Sequence, residues 1–292
     1  MSTSTYPTKT LFNRDGVSVT ATILTNESSA AASKSSDIEH DGLILTLYLH
    51  RHSEKNVINP IMIELLVEAL DVIEGHDLCT ATNNKSLIIT GVSPGDDGGT
   101  QQQQHGKFFS NGLDLQWFTT SEPSSRPLMI ENFCSKVLAR ILTLPMRTIA
   151  AIQGHCIGAG LFIALACDYR IMRTQRGFVQ WPEARLGMRL TKGFAELSKA
   201  KVLDHAVLRE GVLTAKKYTP EEALKVGIVD STSTIGSLYR DSFACAVDGL
   251  PEKMGLEHFD PKAFCEVKME MFTDAYRALR FGKVGDLPHS RI

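Results

Sequence analysis

The stretch "TIAAIQGHCIGAGLFIALACD", residues 148–168, decides the fold because it joins two apolar patterns across one turn. Residues 148–152 are small or β-branched, which is typical of a buried strand. From Gly158 to Ala166 every residue is apolar or small, which predicts a helix that is buried on all sides. A buried strand that passes through a turn into a buried helix indicates an α/β protein.

Strands and helices alternate on both sides of this stretch. In the segment 59–75, Asn59 is typical of an N-cap, and Ile61, Leu65 and Ala69 have helical spacing. The predicted strands are residues 17–25, 43–50, 86–92 and 169–172, and the predicted helices are residues 59–75 and 127–145. The sequence therefore predicts βαβ-like units up to about residue 180.

The remaining organisation is simpler. From about residue 191 the pattern is mainly helical, so we divide the chain into a core at 1–200 and a helical C-terminal region at 201–292. Two polar or low-complexity stretches, at about 26–40 and 93–106, are predicted to be flexible insertions in the core.

Composition and charge exclude several classes of protein. The net charge of −2 does not favour electrostatic binding of nucleic acid. No apolar run reaches the roughly 18 residues that a membrane helix needs. The six cysteines form no C-x-x-C pair and the nine histidines lack metal-ligand spacing, so we expect reduced buried thiols, no metal site and a reducing compartment.

The turn at 158–160 offers a candidate binding site. A helix that begins near Gly158 or Ala159 presents unpaired N–H groups and the positive end of its dipole. Because Gly158 and Gly160 have no side chain, a ligand atom can approach this backbone closely. Such a site suits a phosphate or a developing oxyanion. Small residues at these positions also let a helix pack tightly on a sheet, and the stretch alone leaves both interpretations open.

A second stretch, "GKFFSNGLDL" at residues 106–115, has the same logic. A strand enters it, and Ser110, Asn111 and Gly112 form a turn that can face a ligand. We expect the N–H of Leu113 to face the same cavity as the turn at 158–160, and two convergent N–H groups make an oxyanion hole. Lys107 precedes the strand, where it is either solvated or meets a phosphate of the ligand.

These two stretches resemble segments of the enoyl-CoA hydratase/isomerase (crotonase) superfamily. Two further segments, "WPEARLGM" at 181–188 and "LTAKKYTPEEALKVGIVD" at 213–230, resemble later family segments in the same order. The resemblance covers about residues 43–231 and is nearest to the peroxisomal Δ3,Δ2-enoyl-CoA isomerases. It implies a spiral of ββα units, with C-terminal helices that form a homotrimer or hexamer and cover the active site.

The resemblance also implies a chemistry. The substrate is an acyl-CoA thioester whose carbonyl oxygen lies between the N–H groups of Leu113 and Ala159, and no cofactor is expected beyond the coenzyme A of the substrate. Hydratases of the family use two glutamates, and the matching positions here are Phe162 and Glu183. A single carboxylate can move a proton from C2 to C4, so Glu183 is the expected base of an isomerase, with Phe162 beside the substrate.

Alternatives remain at these positions. Glu183 can instead form a surface ion pair with Arg185 or Arg189. Arg189 and Lys192 bind coenzyme A phosphates, bind an acidic substrate tail or silence Glu183. Enoyl-CoA hydration requires a second carboxylate, for which Glu196 is the candidate, and a protein that only binds acyl-CoA requires neither.

Four further positions have simpler interpretations. We interpret Asp114 and Asp168 as structural turn or cap residues, and Phe162 alternatively as core. His155 either lines the pocket or bonds to the backbone. The ending Ser290-Arg291-Ile292 is similar to the Ser-Lys-Leu signal that the peroxisomal import receptor binds, so we expect a peroxisomal protein of fatty-acid β-oxidation, and otherwise a cytoplasmic one.

Overall fold

The computed structural model describes residues 6–24, 42–94, 107–250, 255 and 260–285. The insertion predicted at 26–40, nearly all of that predicted at 93–106, and the C-terminal tripeptide lie outside these residues. Within the described ranges, no helix is long and apolar enough to cross a bilayer.

The strands of the described chain form two sheets. The strands are β1 (Thr8–Arg14), β2 (Val17–Leu24), β3 (Gly42–Leu49), β4 (Lys85–Thr90), β5 (Phe108–Ser110), β6 (Arg147–Ile152), β7 (His155–Ile157), β8 (Tyr169–Arg173), β9 (Val179–Gln180), β10 (Lys217–Tyr218) and β11 (Ser231–Ser233). The large sheet has the order β1-β2-β3-β4-β6-β8-β11, antiparallel up to β3 and parallel beyond it. The small sheet has the order β10-β9-β7-β5.

Helices pack against these sheets. They are α1 (Pro60–Gly75), α2 (Asp77–Ala81), α3 (Leu115–Thr120), α4 (Ser125–Phe133), α5 (Ala139–Thr143), α6 (Ala159–Ala166), α7 (Glu183–Leu186), α8 (Lys192–Lys201), α9 (His205–Thr214), α10 (Pro220–Lys225), α11 (Ile235–Asp248), α12 (Pro261–Met271) and α13 (Thr273–Phe281). A π-helical turn at Cys134–Leu138 joins α4 to α5, and a short 3₁₀ helix lies at His52–Glu54.

The chain winds through the two sheets as a repeating unit. The strands β4, β6 and β8 belong to the large sheet, and each is followed along the chain by one strand of the small sheet, namely β5, β7 and β9. Each of these small-sheet strands is in turn followed by a helix, α3, α6 or α7. The predicted spiral of ββα units is therefore confirmed.

The first long helix has the predicted N-cap, and only some of its apolar residues face the core. The Asn59 side chain accepts a hydrogen bond from the Met62 N–H at 3.0 Å, so Asn59 is the N-cap of α1 as predicted. The predicted helix is confirmed; Leu65 and Ala69 are buried, whereas Ile61 is 53% exposed. Consecutive helical residues differ by about 100° in direction, and the buried face here centres on Met62 and Leu65.

The C-terminal part of the chain contributes to both sheets. Strand β10 pairs with β9 in the small sheet, and β11 pairs with β8 in the large one. Helix α13 packs on α8, and α11 packs on β6. Strands from the portion after residue 200 therefore complete both sheets of the portion before it. The division of the chain near residue 200 stays a prediction. All six cysteines are free thiols, and five of them are buried.

Candidate active site

The carboxyl ends of three small-sheet strands converge at one edge. Strands β5, β7 and β9 are parallel neighbours, so the chain leaves all three at the same edge of the sheet. There it enters the turn at Asn111 and Gly112, the turn at Gly158, and the start of α7 at Glu183. Ligands of open α/β sheets bind outside the carboxyl ends of strands, so this edge is the candidate ligand-binding site.

The first turn leaves one main-chain donor free. The Gly112 carbonyl accepts from the Ile58 N–H at 2.8 Å, and the Asp114 N–H donates to the Ile58 carbonyl at 2.9 Å. Between these two bonds, the N–H of Leu113 donates to no acceptor among the described residues. Gly112 has φ of +86°, and a Cβ there would lie 2.8 Å from the Ile157 carbonyl oxygen, so this path requires glycine.

The second turn presents a donor at the start of a helix. Ala159 is the first residue of α6, and its N–H has no acceptor within the described ranges. Gly158 before it has φ of +50°, which glycine adopts readily. A Cβ built on Gly112 would lie 3.5 Å from the Ala159 nitrogen, so the two turns are in contact. The unpaired N–H also lies at the positive end of the α6 dipole.

Glu183 faces the same edge with an unpaired oxygen. It is 8% exposed, and its Oε2 is buried with no hydrogen-bond partner in the described structure. Its Oε1 lies 3.9 Å from the position that a Cβ of Gly158 would occupy. Burial raises the pKa of the Glu183 carboxyl to about 7, because desolvation penalises the charged form. The ion pair with Arg185 or Arg189 is not formed in this structure.

These groups share one cavity of about 190 Å³. Its polar groups include the main-chain turns, Asn111 and the Glu183 carboxyl, and most of its other lining residues are apolar. The cavity is lined by Asn111, Gly112, Leu113, Leu115, Ile157, Gly158, Ala159, Pro182, Glu183, Leu186, Met188 and Phe194. The structure therefore brings together two free N–H donors and a single carboxylate in mostly apolar surroundings. Among the described residues, no group of three His, Cys, Asp or Glu is placed to hold a metal ion.

Four predicted site residues do not reach the wall of the cavity. Lys107 is exposed, and its ammonium lies 5.5 Å from the centre of the Phe108 ring. Ser110 is fully buried, and its hydroxyl donates to the Asn56 carbonyl and accepts from the Gly112 N–H. A Cβ on Gly160 would lie 2.6 Å from the Ser110 Cβ, so Gly160 serves the close packing of α6 on β5.

The fourth of these residues, Phe162, lies one layer behind the cavity. It is fully buried, and its ring stacks on that of Phe194 with centroids 4.1 Å apart and planes 9° apart. Phe194 itself lines the cavity. Thus, at the position where the resemblance places a second glutamate in hydratases, this chain builds an aromatic pair that backs the apolar wall.

The remaining candidates are engaged elsewhere. His155 packs between the rings of Phe108 and Phe178, with centroids 5.1 and 4.3 Å away, and burial followed by nearby cations lowers its pKa. The Glu196 carboxylate pairs with Lys199 at 2.6 Å and does not line the cavity. Arg189 and Lys192 are exposed, and neither lines the cavity nor pairs with Glu183.

The two aspartates are structural. Asp114 caps α3 by accepting from the Trp117 N–H at 3.0 Å. Asp168 accepts from the Thr148 N–H at 2.8 Å and from the Lys268 ammonium at 2.7 Å. Both carboxylates thus hold elements of the fold together.

Sequence reasoning missed the apolar part of the site. Leu115, Leu186, Met188 and Phe194 all line the cavity, and none was a candidate. For two of them the sequence held a signal. Leu115 and Leu186 lie two and three residues after Leu113 and Glu183, respectively. Both are apolar at positions where a short surface helix is expected to be polar. Met188 gave no such signal, because it stands beside a charged residue in a segment without clear periodicity.

Comparison with known proteins identifies relatives of this chain. The profile of the enoyl-CoA hydratase/isomerase family matches residues 39–247. A peroxisomal enoyl-CoA delta isomerase 2 from Arabidopsis thaliana is 35% identical over 175 residues, which cover 58% of this chain and 71% of that protein. The peroxisomal enoyl-CoA delta isomerase 1 of the same plant is 40% identical over 126 residues, covering 43% of this chain and 52% of that protein.

The fold also has close counterparts among solved structures. The crystal structure of human mitochondrial Δ3-Δ2-enoyl-CoA isomerase superposes with a TM-score of 0.65 over 81% of this chain and 82% of that one. The sequence identity in this comparison is 21%, so the likeness concerns the fold alone.

Proposed function

Because this chain belongs to the enoyl-CoA hydratase/isomerase family, we propose that it is a Δ3,Δ2-enoyl-CoA isomerase with Glu183 as its proton-transferring base. The similarity to enoyl-CoA isomerases already supports an enzyme of this family that acts on enoyl-CoA. The finer assignment rests on the single carboxylate among the cavity-lining residues.

The proposed reaction moves one proton within the substrate. The Glu183 carboxylate takes a proton from C2 of a 3-enoyl-CoA, and the electron pair spreads over C2–C4 and the thioester oxygen as a dienolate. The free N–H groups of Leu113 and Ala159 donate to that oxygen, where the negative charge develops. The protonated Glu183 then returns the proton to C4, which yields the conjugated 2-enoyl-CoA and restores the carboxylate. No cofactor is needed beyond the coenzyme A that the substrate carries.

The surroundings of Glu183 suit this role. A base with a pKa of about 7 can both accept and return a proton near neutral pH, which is the best compromise for general acid–base catalysis. Water addition needs a second group to position and activate the water, whereas the side of the wall that Phe194 forms and Phe162 backs is apolar.

Substitution of Glu183 tests the proposal. Glu183→Gln keeps the shape of the side chain but removes its capacity to accept the proton. We expect conversion of 3-enoyl-CoA, followed by the absorbance of the conjugated product, to fall by at least about 10³-fold, while binding of an acyl-CoA ligand by calorimetry persists. Near-full activity in this variant would exclude Glu183 as the base.

Glu196→Gln provides the matched control. Glu196 is a glutamate of the same region that pairs with Lys199 outside the cavity, so isomerase activity should be unchanged. Incubation with 2-enoyl-CoA tests hydration directly. Formation of 3-hydroxyacyl-CoA that depends on Glu196 would favour a hydratase, and binding of acyl-CoA without turnover at any chain length would favour a non-catalytic protein.

We also propose that the protein acts in the peroxisome, in β-oxidation of unsaturated fatty acids. The supporting observations are two relatives described as peroxisomal and the ending Ser290-Arg291-Ile292. A fluorescent protein fused to the N-terminus should colocalise with peroxisomes, and deletion of the last three residues should release it to the cytosol. Diffuse fluorescence of the full-length fusion would contradict this location.

A further inference from the structure

The turn that carries the Leu113 N–H is shaped by a neighbouring loop. This loop, residues 55–58, lies between the 3₁₀ helix and α1. Its backbone accepts from the Asn111 N–H at the Lys55 carbonyl (3.0 Å) and donates from the Ile58 N–H to the Gly112 carbonyl (2.8 Å). The turn is therefore bound to the loop at Asn111 and at Gly112, the two residues before Leu113.

Asn56 extends this attachment with its side chain. The residue is fully buried, and its Nδ2 donates to the Leu49 carbonyl and to the Phe109 carbonyl, each at 3.0 Å. One amide thus ties the end of β3 in the large sheet to β5 in the small sheet. Its Oδ1 accepts no hydrogen bond in the described structure, so the contribution of the side chain comes from its two donors.

The backbone of Asn56 continues the chain of hydrogen bonds into the turn. Its carbonyl accepts from the Ser110 hydroxyl at 2.7 Å, and that hydroxyl oxygen accepts from the Gly112 N–H at 3.2 Å. These two bonds fix the peptide immediately before the free donor. The Gly112 carbonyl and the Asp114 N–H are both hydrogen-bonded to Ile58 of the loop. The Leu113 N–H between them has no acceptor among the described residues.

The backbone conformation of the loop makes asparagine fit this position. Lys55 and Asn56 both have positive φ, at 57° and 50°. Asparagine tolerates this left-handed region better than most residues other than glycine. Two successive left-handed residues turn the loop so that the Asn56 amide faces inward while Lys55 remains exposed.

From these contacts we infer that Asn56 is a positioning residue that aims the Leu113 N–H at the substrate oxygen through Phe109, Ser110 and Gly112. The inference rests on the proposed function, since it assigns a role to Asn56 in the same oxyanion hole. Asn56 does not line the cavity, so it acts on the donor and not on the substrate. Loss of its amide should therefore lower kcat more than it changes KM.

Asn56→Gly is the most informative substitution. Glycine accepts the positive φ, so this variant removes the two side-chain hydrogen bonds without adding backbone strain. We expect kcat to fall by about 10- to 100-fold, with KM within about 3-fold, because a small displacement of an oxyanion donor weakens transition-state binding. The matched control is Gln175→Gly, which removes an amide from an exposed residue with φ of +64° and should leave both constants unchanged.

A second readout measures the oxyanion hole without turnover. Bound 3-oxoacyl-CoA ionises to an enolate that absorbs in the near ultraviolet, and the ionised fraction at fixed pH reports how well the N–H groups stabilise the oxyanion. In Asn56→Gly this fraction should fall although the ligand still binds. An unchanged enolate fraction, or an unchanged kcat, would overturn the positioning role even if the variant were less stable to heat.

The two readouts separate failure of this inference from failure of the proposed function. A wild-type protein that ionises 3-oxoacyl-CoA but isomerises no 3-enoyl-CoA would refute the isomerase, and the enolate fraction would still decide the role of Asn56. A wild-type protein that binds the ligand without ionising it would refute the positioning role as well.

Ser110→Ala provides an independent arm if Asn56→Gly does not fold. This change removes the hydroxyl that links the Asn56 carbonyl to the Gly112 N–H but leaves both amide bonds of Asn56 in place. It should lower kcat and the enolate fraction in the same direction. If Asn56→Gly folds, the double variant should lose less than the product of the two single losses, because both residues act on the same turn. Wild-type values in Ser110→Ala would contradict the proposed chain of contacts.

Discussion

At the scale of single residues, the site is built around an unfavourable group. The Glu183 carboxyl is buried with one oxygen unpartnered, and no arginine or lysine of the described chain pairs with it. Burial of a charged carboxylate without a partner costs free energy. The pKa of Glu183 is therefore raised, and the group stays protonated and uncharged to a higher pH. The same desolvation that weakens the fold makes Glu183 a stronger base, and this exchange leads to two predictions.

The first concerns the pH dependence of catalysis. Glu183 must be deprotonated to accept a proton, and its pKa is about 7 in the free protein. We expect kcat/KM to be level at alkaline pH and to fall tenfold for each pH unit below about 7. Circular dichroism at each pH is the control, since the protein must stay folded across the range. A profile that stays level down to pH 5 would show that the catalytic group is not this buried carboxyl.

The second concerns stability. The pKa of Glu183 is about 7 in the folded protein, against the ordinary value of 4.5 for a solvated glutamate in the unfolded chain. Its contribution to stability is therefore fully present below about pH 4.5 and is lost as the pH rises through 7. The loss amounts to about 3 kcal/mol at about 1.4 kcal/mol per pKa unit. Glu183→Gln should thus gain stability over the wild type as the pH rises between these values, measured by urea unfolding. A difference between the two proteins that does not vary with pH would contradict the elevated pKa.

At the scale of elements, local patterns located the helices and strands, but the contacts that complete the site join residues far apart in sequence. The buried helix α6 and the N-cap of α1 follow from runs of apolar residues and from Asn59, which are local signals. The Asn56 amide joins β3 to β5, whose residues are separated by more than fifty positions. No periodicity marks such a contact, because only the folded chain brings the two strands together.

The approach of α6 to β5 can be tested with a matched pair of glycines. A Cβ on Gly160 would lie 2.6 Å from the Ser110 Cβ and 2.9 Å from its carbonyl oxygen. Gly160→Ala should thus push the two turns of the oxyanion hole apart, destabilising the protein by about 1–3 kcal/mol and lowering kcat at least tenfold. Thermal unfolding and steady-state kinetics measure both effects.

Gly236→Ala is the control for that change. Gly236 lies in α11, and a Cβ there has no neighbour within 4 Å. Because alanine favours the helix, this variant should gain up to about 1 kcal/mol without any change in activity. Equal effects of the two substitutions would refute the proposed role of Gly160 in spacing the turns.

At the scale of the whole molecule, the C-terminal helices are attached to the core and also present an apolar surface. Val267, Met271 and Phe281 on α12 and α13 are each more than half exposed. Assembly into a homotrimer or hexamer would cover such residues, and it stays a prediction from the family resemblance. The contact that attaches these helices to the core could not be predicted from the sequence. It depends on a lysine whose hydrogen-bond partners lie more than ninety residues away along the chain.

That lysine gives the last prediction. Lys268 on α12 is 4% exposed, and its ammonium donates to the Met146 carbonyl at 2.8 Å and to Asp168 at 2.7 Å. Removal of one partner of a buried ion pair costs about 3–5 kcal/mol, so Lys268→Met should lower the free energy of unfolding by about that amount. Lys262→Met, on the same helix with a side chain 86% exposed, should change it by less than about 0.5 kcal/mol.

Urea unfolding followed by fluorescence and by circular dichroism should give one coincident transition for the wild type, because α12 is bonded directly to the start of β6 and the end of α6. Separate transitions, or equal effects of the two lysine variants, would mean that the C-terminal helices fold independently of the core.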